Sequence, residues 1–149
     1  MLDITLLYKE SDFDKIKETR QEFVDHLHKS LGEYGDTKEA INKCIDYAFS
    51  ADKSAGGFLM TGHYENELAG TLIMNNTGMS DYIPENILVY VAVAEDFRGK
   101  GLGTQIVEES LNHVKGDVKL HVEYENPAKR LYERMGFESK YLEMRYTNK

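Results

Sequence analysis

The sequence predicts a single mixed α/β domain, and three observations carry that expectation. Two stretches with apolar residues at three- and four-residue spacing precede a group of short alternating runs, as helices precede strands. The run Ile87 to Ala94 is almost wholly apolar, as in a strand covered on both faces. Helical and strand-like segments then alternate to the end of the chain.

Taken in order, Asp3 to Tyr8 reads as the first strand. Ser11 and Asp14 have the spacing of a capping box, and Phe13, Ile16, Phe23, Val24, Leu27 and Leu31 follow at helical spacing until Gly32. A second helix starting near Asp36 gathers Ile41, Cys44, Ile45, Ala48 and Phe49 on one face. Gly57 to Tyr64 and Glu67 to Met74 read as strands joined by a Tyr64-Glu65-Asn66-Glu67 hairpin turn, and Asn75 to Pro84 as a loop. After the apolar strand, a helix runs from about Gly101 to Val114 and stops at Gly116. Val118 to Glu123 is another strand. Asn126-Pro127 offers an N-cap and a first-turn proline to a short helix ending at Gly136. Phe137 and Tyr141 to Tyr146 close the chain as strand. The order is β-α-α-β-β-β-α-β-α-β-β, with no repeat, low-complexity tract or linker, so residues 1–149 form one domain.

Composition narrows the function. A formal net charge of −8 argues against nucleic acid, whose binding needs lysine and arginine to neutralise phosphates. Residues 1–84 hold 8 Lys+Arg against 15 Asp+Glu, whereas residues 85–149 hold 10 against 11. A near-neutral half suits a polyanionic cofactor, and the acidic half suits a cationic substrate or simply keeps the protein soluble. Neither a basic segment leading into an apolar one nor a long apolar run occurs, so secretion and membrane spanning are not expected. The lone cysteine, Cys44, excludes an internal disulfide, fits a reducing cytoplasm and reads as a buried small hydrophobe. The five histidines lack metal-ligand spacing, and no metal is expected.

The informative stretch is Val91-Ala92-Val93-Ala94-Glu95-Asp96-Phe97-Arg98-Gly99-Lys100-Gly101-Leu102-Gly103-Thr104. An apolar strand enters a loop with glycines at 99, 101 and 103, and the loop opens into a helix. Missing Cβ atoms let backbone approach a ligand, and a helix start leaves N–H groups unpaired, so the segment suits a pyrophosphate. Two other nucleotide motifs compete for it. A P-loop fails because Gly99-Lys100 is followed by Gly101 rather than Ser or Thr. A dinucleotide fingerprint starting at Gly101 has Gly103 and, some twenty residues on, Glu123, but Ile106 stands where a small residue belongs.

Arg98-x-x-Gly101-x-Gly103 after Val91-Ala92-Val93 resembles the acetyl-CoA signature of the GNAT superfamily of N-acetyltransferases. The segment Asn126-Pro127-Ala128-Lys129-Arg130-Leu131-Tyr132-Glu133-Arg134-Met135-Gly136-Phe137 is similar to that family's second conserved segment, although Asn126 stands two residues before Ala128 rather than the commoner three. The resemblance covers the whole element order and, in motif, residues 91–137. It implies a mixed, mostly antiparallel sheet of about six or seven strands flanked by about four helices.

The resemblance also implies roles. The backbone of Arg98, Gly99, Lys100, Gly101, Leu102, Gly103 and Thr104 would wrap the pyrophosphate of acetyl-CoA. Val91, Ala92 and Val93 would pair main chain with the pantetheine arm, and an N–H near Val91 would hold the thioester oxygen. Asn126 and Lys129 would contact the cofactor, with Arg130 and Arg134 also near it. Tyr132 resembles the general acid, and Glu85, thirteen residues before Arg98, resembles the glutamate base of histone-acetylating members. Tyr90, His63 and His121 are further base candidates. The implied activity is acetyl transfer to a primary amine of a small molecule or protein by direct attack in a ternary complex. The alternative is a non-catalytic acyl-CoA-binding or sensing module. No nucleic acid or membrane partner is implied, and a homodimer is compatible with the family.

Overall fold

A computed structural model describes residues 1–149. Strand β1 (Leu2–Leu7) is followed by a 3₁₀ turn at Glu10–Lys15, which forms because the Asp12 carboxylate accepts the Tyr8 N–H at 2.8 Å. Helix α1 (Arg20–Leu31) therefore begins later than the apolar spacing of Phe13 and Ile16 predicts. Its capping box is Thr19 with Glu22, not Ser11 with Asp14: Thr19 accepts the Glu22 N–H at 3.1 Å and Glu22 accepts the Thr19 N–H at 2.9 Å. Glutamate reaches back to the cap N–H, and aspartate is one methylene shorter. Helix α2 (Lys38–Ala48) is capped by Thr37, whose hydroxyl accepts the Ala40 N–H at 3.1 Å.

Strands β2 (Gly57–Tyr64) and β3 (Glu67–Asn76) form the expected hairpin, with Glu65 and Asn66 both at positive φ, 52° and 68°. That pair of left-handed residues matches the twist of the flanking strands. β3 runs two residues past its expected end. Strand β4 (Asn86–Val93), helix α3 (Leu102–Leu111), strand β5 (Val118–Leu120) and helix α4 (Ala128–Arg134) complete the order.

The sheet runs β1-β2-β3-β4-β5, antiparallel except for β5, which lies parallel to β4. Helices α1 and α2 cover one face, where Phe23, Leu27, Ile41 and Ile45 pack on Leu59 and Ile73. Helices α3 and α4 cover the other, where Ile106, Val107 and Tyr132 pack on Met60, Leu72 and Leu88. Leu27 and Ile45 are fully buried, so truncating either to alanine is expected to cost about 2–5 kcal/mol. Cys44 lies in the first of these layers, and burial pushes its thiol up to about 12. No helix is long and apolar enough to cross a membrane.

Five strands form, not six or seven. Residues 138–149 alternate as strand residues should, yet no backbone hydrogen bond joins them to the rest of the chain. Strand β5 is three residues long rather than six because β4 turns away from it after Leu88.

Candidate active site

Two separations within the α3–β4–β5 region create the site. The first is in the sheet. β4 pairs with β5 only over Asn86–Leu88 against Val118–Leu120, and a bulge between Ile73 and Met74 shifts the β3–β4 register at that level. Beyond Leu88 the outer edge of β4 has no strand beside it. The ladder bond from Ala94 N–H to Ala69 O (2.8 Å) sets the alternation along this edge. Ala94 and Ala92 direct their main chain to β3, and Val93 and Val91 direct theirs outward into the opening.

The second separation lies between the end of β4 and the start of α3. A short 3₁₀ turn at Glu95–Phe97 leads into Gly99 (φ 81°) and Gly101 (φ 75°), the residue that precedes α3. A Cβ built at Gly99 or Gly101 would meet nothing within 4 Å, so the space outside this turn is open. No side chain caps α3, and the six N–H groups from Gly99 to Thr104 find no acceptor in the protein. Unpaired donors at a helix start, in open space, make a seat for an anion. Gly103 differs: its Cβ would stand 3.6 Å from Val93 and 3.7 Å from Leu131, ordinary contact, so a Cβ fits there and only a larger side chain would crowd β4 and α4. A cleft of about 530 Å³ between α3 and α4, lined by Thr104, Glu108, Leu131 and Arg134, adjoins the turn.

The two loop cations are already engaged. Arg98 folds back, its Nε donating to Val93 O at 3.0 Å and its Nη2 to Ser30 O at 2.9 Å, so its side chain ties β4 to the end of α1. Lys100 sits 5.9 Å from the centre of the Tyr64 ring, a cation–π contact. Leu102 is buried and Ala92 packs towards α1 and α2.

Tyr132 lies on α4 in the same apolar layer as Val91 and Val93. Its ring packs edge-on against Phe137 at 5.8 Å, and burial pushes its hydroxyl up to about 12. That hydroxyl makes no hydrogen bond within the chain, and it is not among the fully enclosed polar atoms. Asn126 accepts the Ala128 N–H on its Oδ1 at 2.9 Å, while α4 is capped in backbone terms by Pro127, one residue later than expected. Lys129 reaches Glu133 at 3.4 Å.

Glu85 stands apart from these residues. Its carboxylate accepts the Asp117 N–H at 2.8 Å, which closes the turn from α3 into β5 and holds the carboxyl below its usual range. Val91 lies six positions further along the chain, about 20 Å of extended strand away. Across the sheet, Tyr90 donates to the Asp36 carboxylate at 2.5 Å, and burial, followed by Asp36 itself, raises the Tyr90 hydroxyl above its ordinary value. This pair faces α1 and α2, one residue from Val91. In the same α1–α2 turn the Tyr34 hydroxyl donates to Glu125 O at 3.4 Å and bridges the opening. Nothing local in sequence marks Asp36, which is 54 residues from Tyr90. His63 pairs with Glu18 at 2.7 Å beneath α1, and no cluster of possible metal ligands exists.

This architecture has known counterparts. The family model of the acetyltransferase (GNAT) domain matches residues 56–139, more than half of the chain. The chain belongs to the GNAT family of acetyltransferases, enzymes whose acetyl donor is acetyl-CoA. A GNAT-family acetyltransferase from Streptococcus pneumoniae superposes with a TM-score of 0.68 at 18% identity, covering 99% of this chain and 98% of its own. A ribosomal-protein-alanine N-acetyltransferase from Brucella melitensis gives 0.64 at 16%, covering 99% and 100%. Glucosamine-6-phosphate N-acetyltransferase from Arabidopsis thaliana gives 0.60 at 23%, covering 99% and 98%. Curated protein sequences give no match.

Proposed function

We propose that this chain transfers an acetyl group from acetyl-CoA to a primary amine by direct attack, with both substrates held together. One observation carries the reading: six unpaired N–H groups around Gly99 and Gly101 adjoin a strand edge that has no strand beside it beyond Leu88. Acetyl-CoA supplies an acetyl group activated as a thioester. The Gly99–Thr104 amides hold its pyrophosphate, Val91 donates its N–H to the acetyl oxygen as negative charge develops there, and Val93 offers its outward N–H to the pantetheine arm. The Val93 carbonyl is held by Arg98, so Val91 supplies the free acceptor on this edge. Lys129 and Asn126 border the cofactor from the start of α4.

The amine arrives from the α1–α2 side, where Asp36 and Tyr90 offer an anionic pair to an ammonium group. Its proton passes to that pair or to solvent, the nitrogen–carbon bond forms, the carbon–sulfur bond breaks, and the Tyr132 hydroxyl donates a hydrogen bond to the departing sulfur. Glu85 shapes the entry to β5 in this scheme and takes no proton. Amines of different kinds appear in the names of the neighbouring structures, a ribosomal-protein alanine and glucosamine 6-phosphate among them. The acceptor here is therefore sought with a broad panel.

The test is thiol release from acetyl-CoA against polyamines, amino sugars, aminoglycosides and peptide N-termini, beside acetyl-CoA binding by calorimetry. Tight binding with thiol release on at least one amine supports the proposal. Tight binding with no release on any amine replaces it with an acyl-CoA sensor.

A further inference from the structure

We propose that the acceptor is a small ω-amino carboxylate, its amine at Asp36 and Tyr90 and its carboxylate at Lys119, an assignment that rests on the acetyl-transfer reading above. A cavity of about 330 Å³ supplies the second end. Its floor is Ile87 of β4 and Lys119 of β5, which stand opposite each other one pair before the strands part. Leu88 packs on the α3–α4 side, so by strand alternation Ile87 faces α1 and α2. Asn75 of β3 and Met79 and Ile83 of the β3–β4 connection form the walls.

The walls are fixed by the chain's own hydrogen bonds. The Tyr47 hydroxyl donates to Asn76 O at 2.6 Å and lies 3.2 Å from Ser54 O. The Thr77 hydroxyl donates to Pro84 O at 2.7 Å and the Thr77 N–H to Glu85 O at 2.8 Å, which pins the base of the segment that carries Met79 and Ile83. The cavity is thus preformed, as small-molecule sites commonly are.

Its place matches the amine end. Residues three apart on a regular strand face opposite sides, but the bulge in the β3–β4 ladder leaves Val89 without a partner and turns Tyr90 to the α1–α2 face as well. Tyr90 therefore follows Ile87 on one face, about 10 Å along the strand. Cys44 packs in the same layer as Tyr90 and meets Asn75, whose Nδ2 lies 3.3 Å from its Sγ.

The two ends carry opposite charge. None of the eight residues that line the cavity is acidic, in a chain with 26 Asp+Glu, and Lys119 has no carboxylate partner, unlike Lys15, Lys38 and Lys129. A lone cation in a half-apolar cavity selects an anion, and Met79, Ile83 and Ile87 suit a methylene chain. Asn75 is 8% exposed and its Oδ1 has no partner in the chain, so an amide N–H beside the carboxylate would find an acceptor there. An Nα-acylated lysine has these parts in this order. Its ε-nitrogen bonds the acetyl carbon as the carbon–sulfur bond breaks. The nitrogen's proton leaves to the Asp36–Tyr90 pair or to solvent, and the thiolate takes one from solvent.

Thiol release from acetyl-CoA should show a kcat/KM at least tenfold higher on Nα-acetyl-lysine than on its C-terminal amide, which lacks only the charge. Lys119→Glu should reverse that order, with the acetyl-CoA Kd level by calorimetry, and a reversal cannot come from loss of the fold. Equal values on acid and amide, or a preference for the acid that survives in Lys119→Glu, would overturn the carboxylate site. Turnover of other amines with neither lysine derivative accepted would also overturn it and leave acetyl transfer standing. Thiol release on no amine at all would instead remove the reading on which it rests.

Discussion

Tyr132 combines two properties that oppose each other. Burial fixes the ring in the apolar layer of Val91 and Val93, and the same burial raises its hydroxyl to about 12, while a free thiol sits near 8.5. Full proton transfer to a thiolate would be uphill by about 5 kcal/mol, so in the proposed reaction the hydroxyl would serve as a hydrogen-bond donor. A bond to developing charge is worth about 1.5–3 kcal/mol. Tyr132→Phe should therefore lower kcat roughly ten- to hundredfold while the acetyl-CoA Kd stays level, as measured by steady-state kinetics beside calorimetry. Unchanged turnover would make Tyr132 a packing residue alone. The shift also has an alkaline signature. The folded value exceeds the unfolded one, near 10, so this contribution to stability is present below pH 10 and disappears as pH rises through about 12. Denaturant titrations between pH 9 and 12 should show a shallower loss in the phenylalanine variant. The two glycines of the turn separate in the same way. Gly101→Val places a branched side chain at φ 75° in open space and should weaken acetyl-CoA binding more than tenfold. Gly103→Val instead crowds Val93 and Leu131 and should cost about 1–3 kcal/mol of folding stability first.

At the scale of elements, the divergence of β4 from β5 gives two carboxylates different surroundings. Glu85 lies where the strands still pair, and Asp36 faces the part of β4 where they have parted. The Asp117 N–H lowers the Glu85 carboxyl in the folded state, so its contribution to stability is present above the unfolded value near 4.3. It disappears as pH falls through the lower folded value. Glu85→Gln should thus reduce stability at neutral pH, lose that acid-dependent component, and leave kcat unaltered. A large fall in kcat in a variant of normal stability would return Glu85 to the role of base. Asp36→Asn should spare acetyl-CoA binding and lower kcat/KM for the amine tenfold or more, because it removes the charge that receives the ammonium. An equal loss with a neutral thioester-hydrolysis readout would place Asp36 on the cofactor side instead.

For the whole molecule, ligand binding and folding are linked. Acetyl-CoA at about a hundredfold excess over Kd should add about 2.7 kcal/mol of stability, a rise in Tm of roughly 5–10 °C for a chain of this size. NADH should give none, since the glycine turn does not fit the dinucleotide fingerprint. Equal stabilisation by NADH would reopen that assignment.

Much of the architecture is legible along the chain because it is local. Helical periodicity, the Glu65-Asn66 turn and the glycines at 99, 101 and 103 depend on residues within a few positions of one another. The misreadings are local competitions and missing neighbours. Asp12 takes the Tyr8 N–H and delays α1 to the Thr19–Glu22 cap, and the Tyr141–Tyr146 alternation has no strand beside it. What the sequence determined by itself was the glycine turn and the order of elements, since backbone conformation and donor supply there follow from glycine and from a helix start. The tertiary structure alone decided that Arg98 spends its guanidinium on Ser30, 68 residues away, and that Tyr90 meets Asp36 across 54. It alone opened β4 beyond Leu88. Contacts between distant segments are set by how layers pack and strands twist apart, and no residue spacing records that.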